Sequence, residues 1–314
     1  MLPGSTPQGA FLGILLFIII FNGALLRPTI PRIHGLNLKY VDDLSMLTAI
    51  NLKKSLISDP TQRPRPLTFN ERTCQVLDMR DNQLQMDMDS LYDFTNHKQM
   101  RIKEKKSKIM KFNFSKVNDF PPEFIIKDFS DNLEVTNETK LLGVIISNDL
   151  KWGPNTEYIC SKAYQKIWIL RRMKKLDVEP SIILDVYIKE VRSVLELAVP
   201  AWHSGLTLKQ TADIERVQRV ALSVILSDVN TGKYDFNYDR ALVILGLEPL
   251  KERRISLCHN FAKKTLKSRH ADMFTQHTNQ HYIRNKPKFY TPSCNTKRFF
   301  DSPLNYLTRL LNDQ

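Results

Sequence analysis

The sequence predicts an α+β fold, with short strands before residue 150 and helices after it. Three observations carry this. Residues 36–47, LNLKYVDDLSML, read as two short strands around an Asp-Asp turn. KIMKFNF (108–114) reads as a further strand, and KLLGVII (140–146) as another, ending at the turn signal Ser147-Asn148-Asp149. Beyond Trp152 the apolar residues switch to helical spacing, first at Ile159, Ala163, Ile167 and Leu170, then at Ile183, Val186, Tyr187, Val191, Val194 and Leu195.

A third helix is expected to begin with Thr207 as N-cap and Gln210 as its capping-box partner, continuing through Ile214, Val217, Ala221, Val224 and Ile225. These stripes are core positions. A helix is also expected over residues 83–97, and residues 48–80, with Pro60, Pro64 and Pro66, read as an insertion or loop. Short helices and a basic stretch around 264–299 close the chain. The divisions expected are 1–150, 151–232 and 233–314.

The chain has 314 residues, 42% apolar and 25% charged, enough for two or three folded domains. Its net charge of +13 and pI near 9.5 favour a polyanionic partner, nucleic acid before an anionic membrane. The excess is clustered. One run holds Lys98, Arg101, Lys103, Lys105, Lys106, Lys108, Lys111 and Lys116 against Glu104 alone; a second holds Lys162, Lys166, Arg171, Arg172, Lys174 and Lys175. The default reading of such a run is a solvated face. Four scattered cysteines, Cys74, Cys160, Cys258 and Cys294, suit a reducing compartment. Cys258, His259, His270, His277, His281 and Cys294 fit no standard zinc-finger spacing.

From Ala10 to Leu26 the run AFLGILLFIIIFNGALL would span roughly 25 Å as a helix, slightly short of a hydrocarbon core. It reads either as a single-pass membrane anchor or as a helix buried all round. MLPGSTPQG before it has no basic side chain, so a secretory signal is not expected and an intracellular location is.

Tyr40-Val41-Asp42-Asp43 carries the strongest chemistry. Two-metal phosphoryl transfer needs carboxylates that hold two Mg²⁺ about 3.5–4 Å apart, and adjacent aspartates on a rigid turn can supply them. An Asp-Asp pair is also an ordinary turn or helix cap. The order of motifs adds weight: PQGxxLGxLLF from Pro7, then YVDD, then KKSKIM, then LLGVxI and LKW. In that order they resemble the reverse transcriptases of eukaryotic non-LTR retrotransposons, over nearly the whole chain.

The resemblance implies an antiparallel palm sheet backed by helices in 1–150, an all-helical thumb in 151–232 and a helical extension. It implies an RNA-directed DNA polymerase, with an RNA template, a DNA primer, deoxynucleoside triphosphates and two Mg²⁺. Pro7, Gln8 and Gly9 match the motif at the template and incoming nucleotide, with Tyr40 beside it. The apolar run then matches the buried palm helix, so no dedicated membrane partner is expected. Asp42 matches the leading Mg²⁺ ligand and Asp43 the supporting one. Lys106 matches a proton donor to pyrophosphate, and Leu142-Gly143-Val144 match the primer-grip hairpin. The basic runs, through Lys105, Lys108, Lys162, Lys166, Arg171 and Arg172, would track the nucleic-acid backbone. Trp202 and His203 are expected only to pack.

The sequence departs from the family in three places. Ile14 stands where the family usually has Pro, and Lys103 where it has Asn. No Asp or Glu precedes Asp42, so the first catalytic Asp and the fingers are expected to be missing. Two divalent cations 4 Å apart repel by about 16 kcal/mol at an effective dielectric near 20. With one ligand gone, weak or no autonomous activity is expected, and a nucleic-acid-binding relic becomes the alternative.

Overall fold

The computed structural model describes residues 36–40, 43–47, 89, 92–93, 96, 106–110, 112, 133–227, 236–268, 270–276 and 288–313. They divide into two compact units, the first reaching Glu138 and the second running from Thr139. The run 10–26 and the loop expected at 48–80 lie outside the described residues.

In the first unit, β1 (Leu36–Tyr40) pairs antiparallel with β2 (Asp43–Leu47), in a register running from Leu36↔Leu47 to Tyr40↔Asp43. Asp43, expected in the turn, belongs to the strand and pairs with Tyr40. β3 (Lys108–Ile109) pairs in parallel with β4 (Glu134–Val135). The strand expected over 108–114 stops after two residues: Met110 and Phe112 are not in it. Of the helix expected at 83–97, Asp89, Tyr92, Asp93 and Asn96 are helical, positions that share one face.

The second unit opens with a hairpin, β5 (Glu138–Leu141) and β6 (Val144–Ser147). The apolar pattern alone reads as one strand here, whereas the resemblance implies a hairpin at Leu142-Gly143-Val144; the chain does reverse, through Leu142 (φ 48°) and Gly143 (φ 91°). Two consecutive positive φ values make the tight connection whose twist matches antiparallel strands. Glycine adopts that geometry freely, whereas Leu142 bears its cost. The turn signal that follows is real. The Asp149 carboxylate accepts from the Lys151 N–H at 3.0 Å and lies 2.7 Å from the Ser147 hydroxyl. Partial burial raises its pKa, but these bonds outweigh it and bring the group down to about 2.

Among the described residues the strands form three separate two-stranded sheets, and the continuous antiparallel palm sheet is not among them. The second unit is mostly helical. Helix α1 (Gly153–Lys175) has Pro154 in its first turn and buries Ile159, Ala163, Ile167 and Leu170. It closes in a Schellman arrangement, Val178 N–H to Met173 C=O at 3.2 Å, with Asp177 at φ 54° where glycine is usual.

The helix expected over 183–195 is continuous but changes its winding: α2 (Pro180–Val186) runs through a π-helical segment (Tyr187–Arg192) into α3 (Ser193–Leu195). The wider turn coincides with a buried tyrosine, Tyr187, whose hydroxyl donates to Gln218 Oε1. Ala198, at φ 55°, ends that run, and α4 (Val199–Trp202) follows. Trp202 is fully buried with its indole N–H on Leu197 C=O at 2.8 Å, the packing role expected of it. A 3₁₀ turn, His203–Gly205, comes next. A Cβ at Gly205 would lie 2.6 Å from the Trp152 ring, so that crossing requires glycine.

The capping box forms as expected at α5 (Leu208–Leu226): Thr207 Oγ1 accepts from Gln210 N–H at 3.2 Å, and Gln210 Oε1 from Thr207 N–H at 2.7 Å. Then come α6 (Tyr238–Leu245), α7 (Leu250–Leu266), α8 (Lys297–Phe300) and α9 (Pro303–Asn312). Buried Gln218 ties four elements together, donating to Tyr238 Oη at 2.8 Å and Glu248 C=O at 3.1 Å. Glu215 accepts from the Tyr238 hydroxyl and caps α7 through the N–H groups of Leu250 (3.0 Å) and Lys251 (3.2 Å).

Gln218→Leu keeps the volume but orphans the Tyr187 hydroxyl and the Glu248 carbonyl. Urea unfolding is expected to show a loss of about 1–3 kcal/mol. A pH effect follows from His203, whose pKa falls from 6.5 to about 4 through burial and the nearby charges of Arg254 and Lys251. The unfolded chain binds that proton first, so the contribution of His203 to stability decreases as pH falls from about 6.5 towards 4. Thermal melts of wild type and His203→Gln across that window should diverge, the variant showing the shallower slope.

Candidate nucleic-acid interface

Helix α1 bears six cations and one acid, Glu157. Its buried stripe decides where the charges go. Ile159, Ala163, Ile167 and Leu170 occupy one side, and α5 packs there with Ile214, Val217, Ala221 and Ile225. Tyr164, Trp168, Arg171, Arg172 and Lys175 recur at three- and four-residue intervals on the other side, all exposed. Trp168 is 63% exposed, whereas Trp152 and Trp202 are buried. An open indole between guanidinium groups is the arrangement in which bases stack and phosphates pair.

The six cations differ in availability. Lys166 pairs with Glu190 at 2.7 Å, and Lys174 Nζ donates to the Ile225 carbonyl at the end of α5 at 3.0 Å. Arg171, Arg172 and Lys175 have no ion-pair partner among the described residues. Those in the last turn also complement the negative end of the helix dipole, a structural contribution that leaves their charged ends in solvent.

A second cationic feature joins the hairpin to α1. Lys140 Nζ lies 4.8 Å and Lys162 Nζ 5.2 Å from the Tyr158 ring centroid. The hydrogen bond from Lys140, then that from Lys162, lowers the Tyr158 pKa. Two ammonium groups beside one phenol form a phosphate-compatible corner.

The residues expected at the polymerase site divide as follows. Pro7, Gln8, Gly9, Asp42 and Lys105 lie outside the described residues. Tyr40 and Asp43 face each other in register across β1 and β2. Lys106 is exposed. Lys108 is held by Glu134 at 3.0 Å, a surface pair weak enough to exchange for a phosphate. Leu142 and Gly143 form the hairpin tip, where a Cβ on Gly143 would lie 2.9 Å from Leu197 Cδ2. The Val144 side chain is 1% exposed and serves the core.

Among the described residues no group of three His, Cys, Asp or Glu side chains is placed to hold a metal ion. Cys258 is buried, with desolvation raising its thiol to about 12, and Cys294 Sγ lies 3.2 Å from Pro292 C=O. No described helix is long and apolar enough to cross a membrane.

Sequence reasoning missed Lys140, Tyr158 and Trp168. Tyr158 and Lys162 stand four apart on a helix, so that contact was legible; Lys140 arrives only through the hairpin. Trp168 was legible as the aromatic off the apolar stripe. Comparison with protein-family models, curated proteins and solved structures finds no match.

Arg171→Ala and Trp168→Ala should leave unfolding free energy within about 0.5 kcal/mol of wild type, because neither side chain supports the core. Lys174→Ala removes the α5 carbonyl's partner and should cost about 1 kcal/mol. Denaturant titration of the three variants checks the contrast.

Proposed function

We propose that the chain is part of an RNA-directed DNA polymerase of the non-LTR retrotransposon type, and that its helical unit holds nucleic acid along α1. The observation that carries this reading is the exposed row Trp168, Arg171, Arg172 and Lys175, backed by Lys140 and Lys162. The ordered motifs PQG, YVDD, KKSKIM and LLGV supply the polymerase part. Asp42 and Asp43 would hold Mg²⁺, which when bound neutralises a nucleoside triphosphate; Lys106 would donate a proton to the leaving pyrophosphate.

A second reading is binding without catalysis: the exposed cations of α1 serve it whether or not Asp42 and Asp43 hold metal ions. The two readings share the α1 face and differ in chemistry.

Binding to an RNA/DNA hybrid should weaken steeply with salt. Four neutralised phosphates give a slope of about −3 to −4 in log K against log salt. The Arg171→Ala, Arg172→Ala double variant should flatten that slope by about two. Primer extension on homopolymer RNA with Mg²⁺ decides the chemistry. Synthesis abolished by Asp42→Ala supports the polymerase, and salt-sensitive binding with no synthesis supports the second reading. A salt-independent affinity contradicts both.

A further inference from the structure

The core of the helical unit contains a charge that its own side chains do not neutralise. Arg254, on α7, is 1% exposed and among the largest fully buried side chains. Its Nε donates to His203 Nδ1 at 3.3 Å. Its Nη1 and Nη2 are buried and have no hydrogen-bond partner among the described residues. Arginine does not lose its proton in proteins, so the guanidinium stays cationic.

The carboxylates nearby are committed elsewhere. Glu196 pairs with Arg253 and, at 3.3 Å, with Arg192; Glu215 caps α7 and accepts from Tyr238. No aromatic face among the described rings receives Arg254 either.

Two further buried hydroxyls lack a partner among the described residues. Ser204 follows His203 in the 3₁₀ turn, and its buried Oγ has no partner. Ser302 precedes α9, is 4% exposed, and has a buried Oγ that neither caps the helix nor bonds elsewhere. Helix α9 packs on α7, on α4 and on the 203–205 turn. Tyr306, one turn after Ser302, meets the His203 ring edge-on at 5.5 Å. The unsatisfied groups thus sit on elements packed against one another, and all of them can donate. Water would satisfy the donors but leave the charge unpaired; a small anion does both.

We infer that the helical unit binds a small monovalent inorganic anion, of the chloride class, on Arg254 between α7, α9 and the 203–205 turn. The site is distinct from the solvent-facing cations of α1 and does not depend on the nucleic-acid reading. Gluconate is too large to occupy a buried position and serves as the exchange partner.

Thermal unfolding of the full chain at constant ionic strength, with chloride replacing gluconate, should show a saturable rise in Tm. Arg254→Met, of similar length and uncharged, should abolish that rise, and Arg171→Ala should leave it intact. Chloride-35 line broadening by the wild-type chain, reversed by bromide, provides a readout if Arg254→Met does not fold. Ser204→Ala and Ser302→Ala should each shift the midpoint of that bromide competition. A Tm indifferent to the anion, a rise that persists in Arg254→Met, or the absence of broadening would overturn the proposal.

Discussion

Everything the second unit presents to solvent depends on the packing of α1 against α5. Ile159, Ala163, Ile167 and Leu170 must face Ile214, Val217, Ala221 and Ile225, because burying those side chains is worth roughly 1.5–3 kcal/mol each for the larger ones. A helix has one rotation about its axis. Once the apolar stripe takes its side, Trp168, Arg171, Arg172 and Lys175 have no choice but the other. The cationic face is therefore a consequence of core packing, and its rigidity comes from the same source.

Polar groups in the core perform a complementary task. Gln218 accepts from Tyr187 in the π-helical segment and donates to Tyr238 on α6 and to the Glu248 carbonyl before α7. Apolar stripes tolerate sliding; a buried amide with three partners does not. Arg253 bridges Glu196 and Glu248, so the elements on either side of α5 are also joined by charge. Arg254, its neighbour in sequence, points instead into the core. Two adjacent arginines thus have opposite electrostatic situations, set by the turn of α7 alone.

The helices were legible because each combines a period with a boundary signal. The stripe of α1 and the Thr207/Gln210 box are local, and local chemistry survives folding unchanged. Pattern alone reads 140–146 as one strand, because LLGVII is apolar throughout and periodicity cannot reveal a reversal; the turn was legible only through the motif at Leu142-Gly143-Val144. Only Gly143 marked the turn, and Leu142 in a left-handed conformation is a poor cue. The wider turn within the 180–195 helix escaped for a different reason: the π-helical segment accompanies the tertiary contact of Tyr187 with Gln218, which no local pattern encodes. At the interface the cations were readable as a run, yet their division was not. Glu190 and the Ile225 carbonyl, which claim Lys166 and Lys174, come from distant elements.

Intrinsic fluorescence offers the most direct test of the α1 face. The chain has three tryptophans, and Trp168 alone among them is open to solvent. Acrylamide quenching should therefore report mainly on Trp168, and adding a nucleic-acid oligomer should both dim its emission and shield it from acrylamide. Emission and acrylamide access that stay unchanged while the oligomer binds would contradict the account, since the nucleic acid would then lie elsewhere.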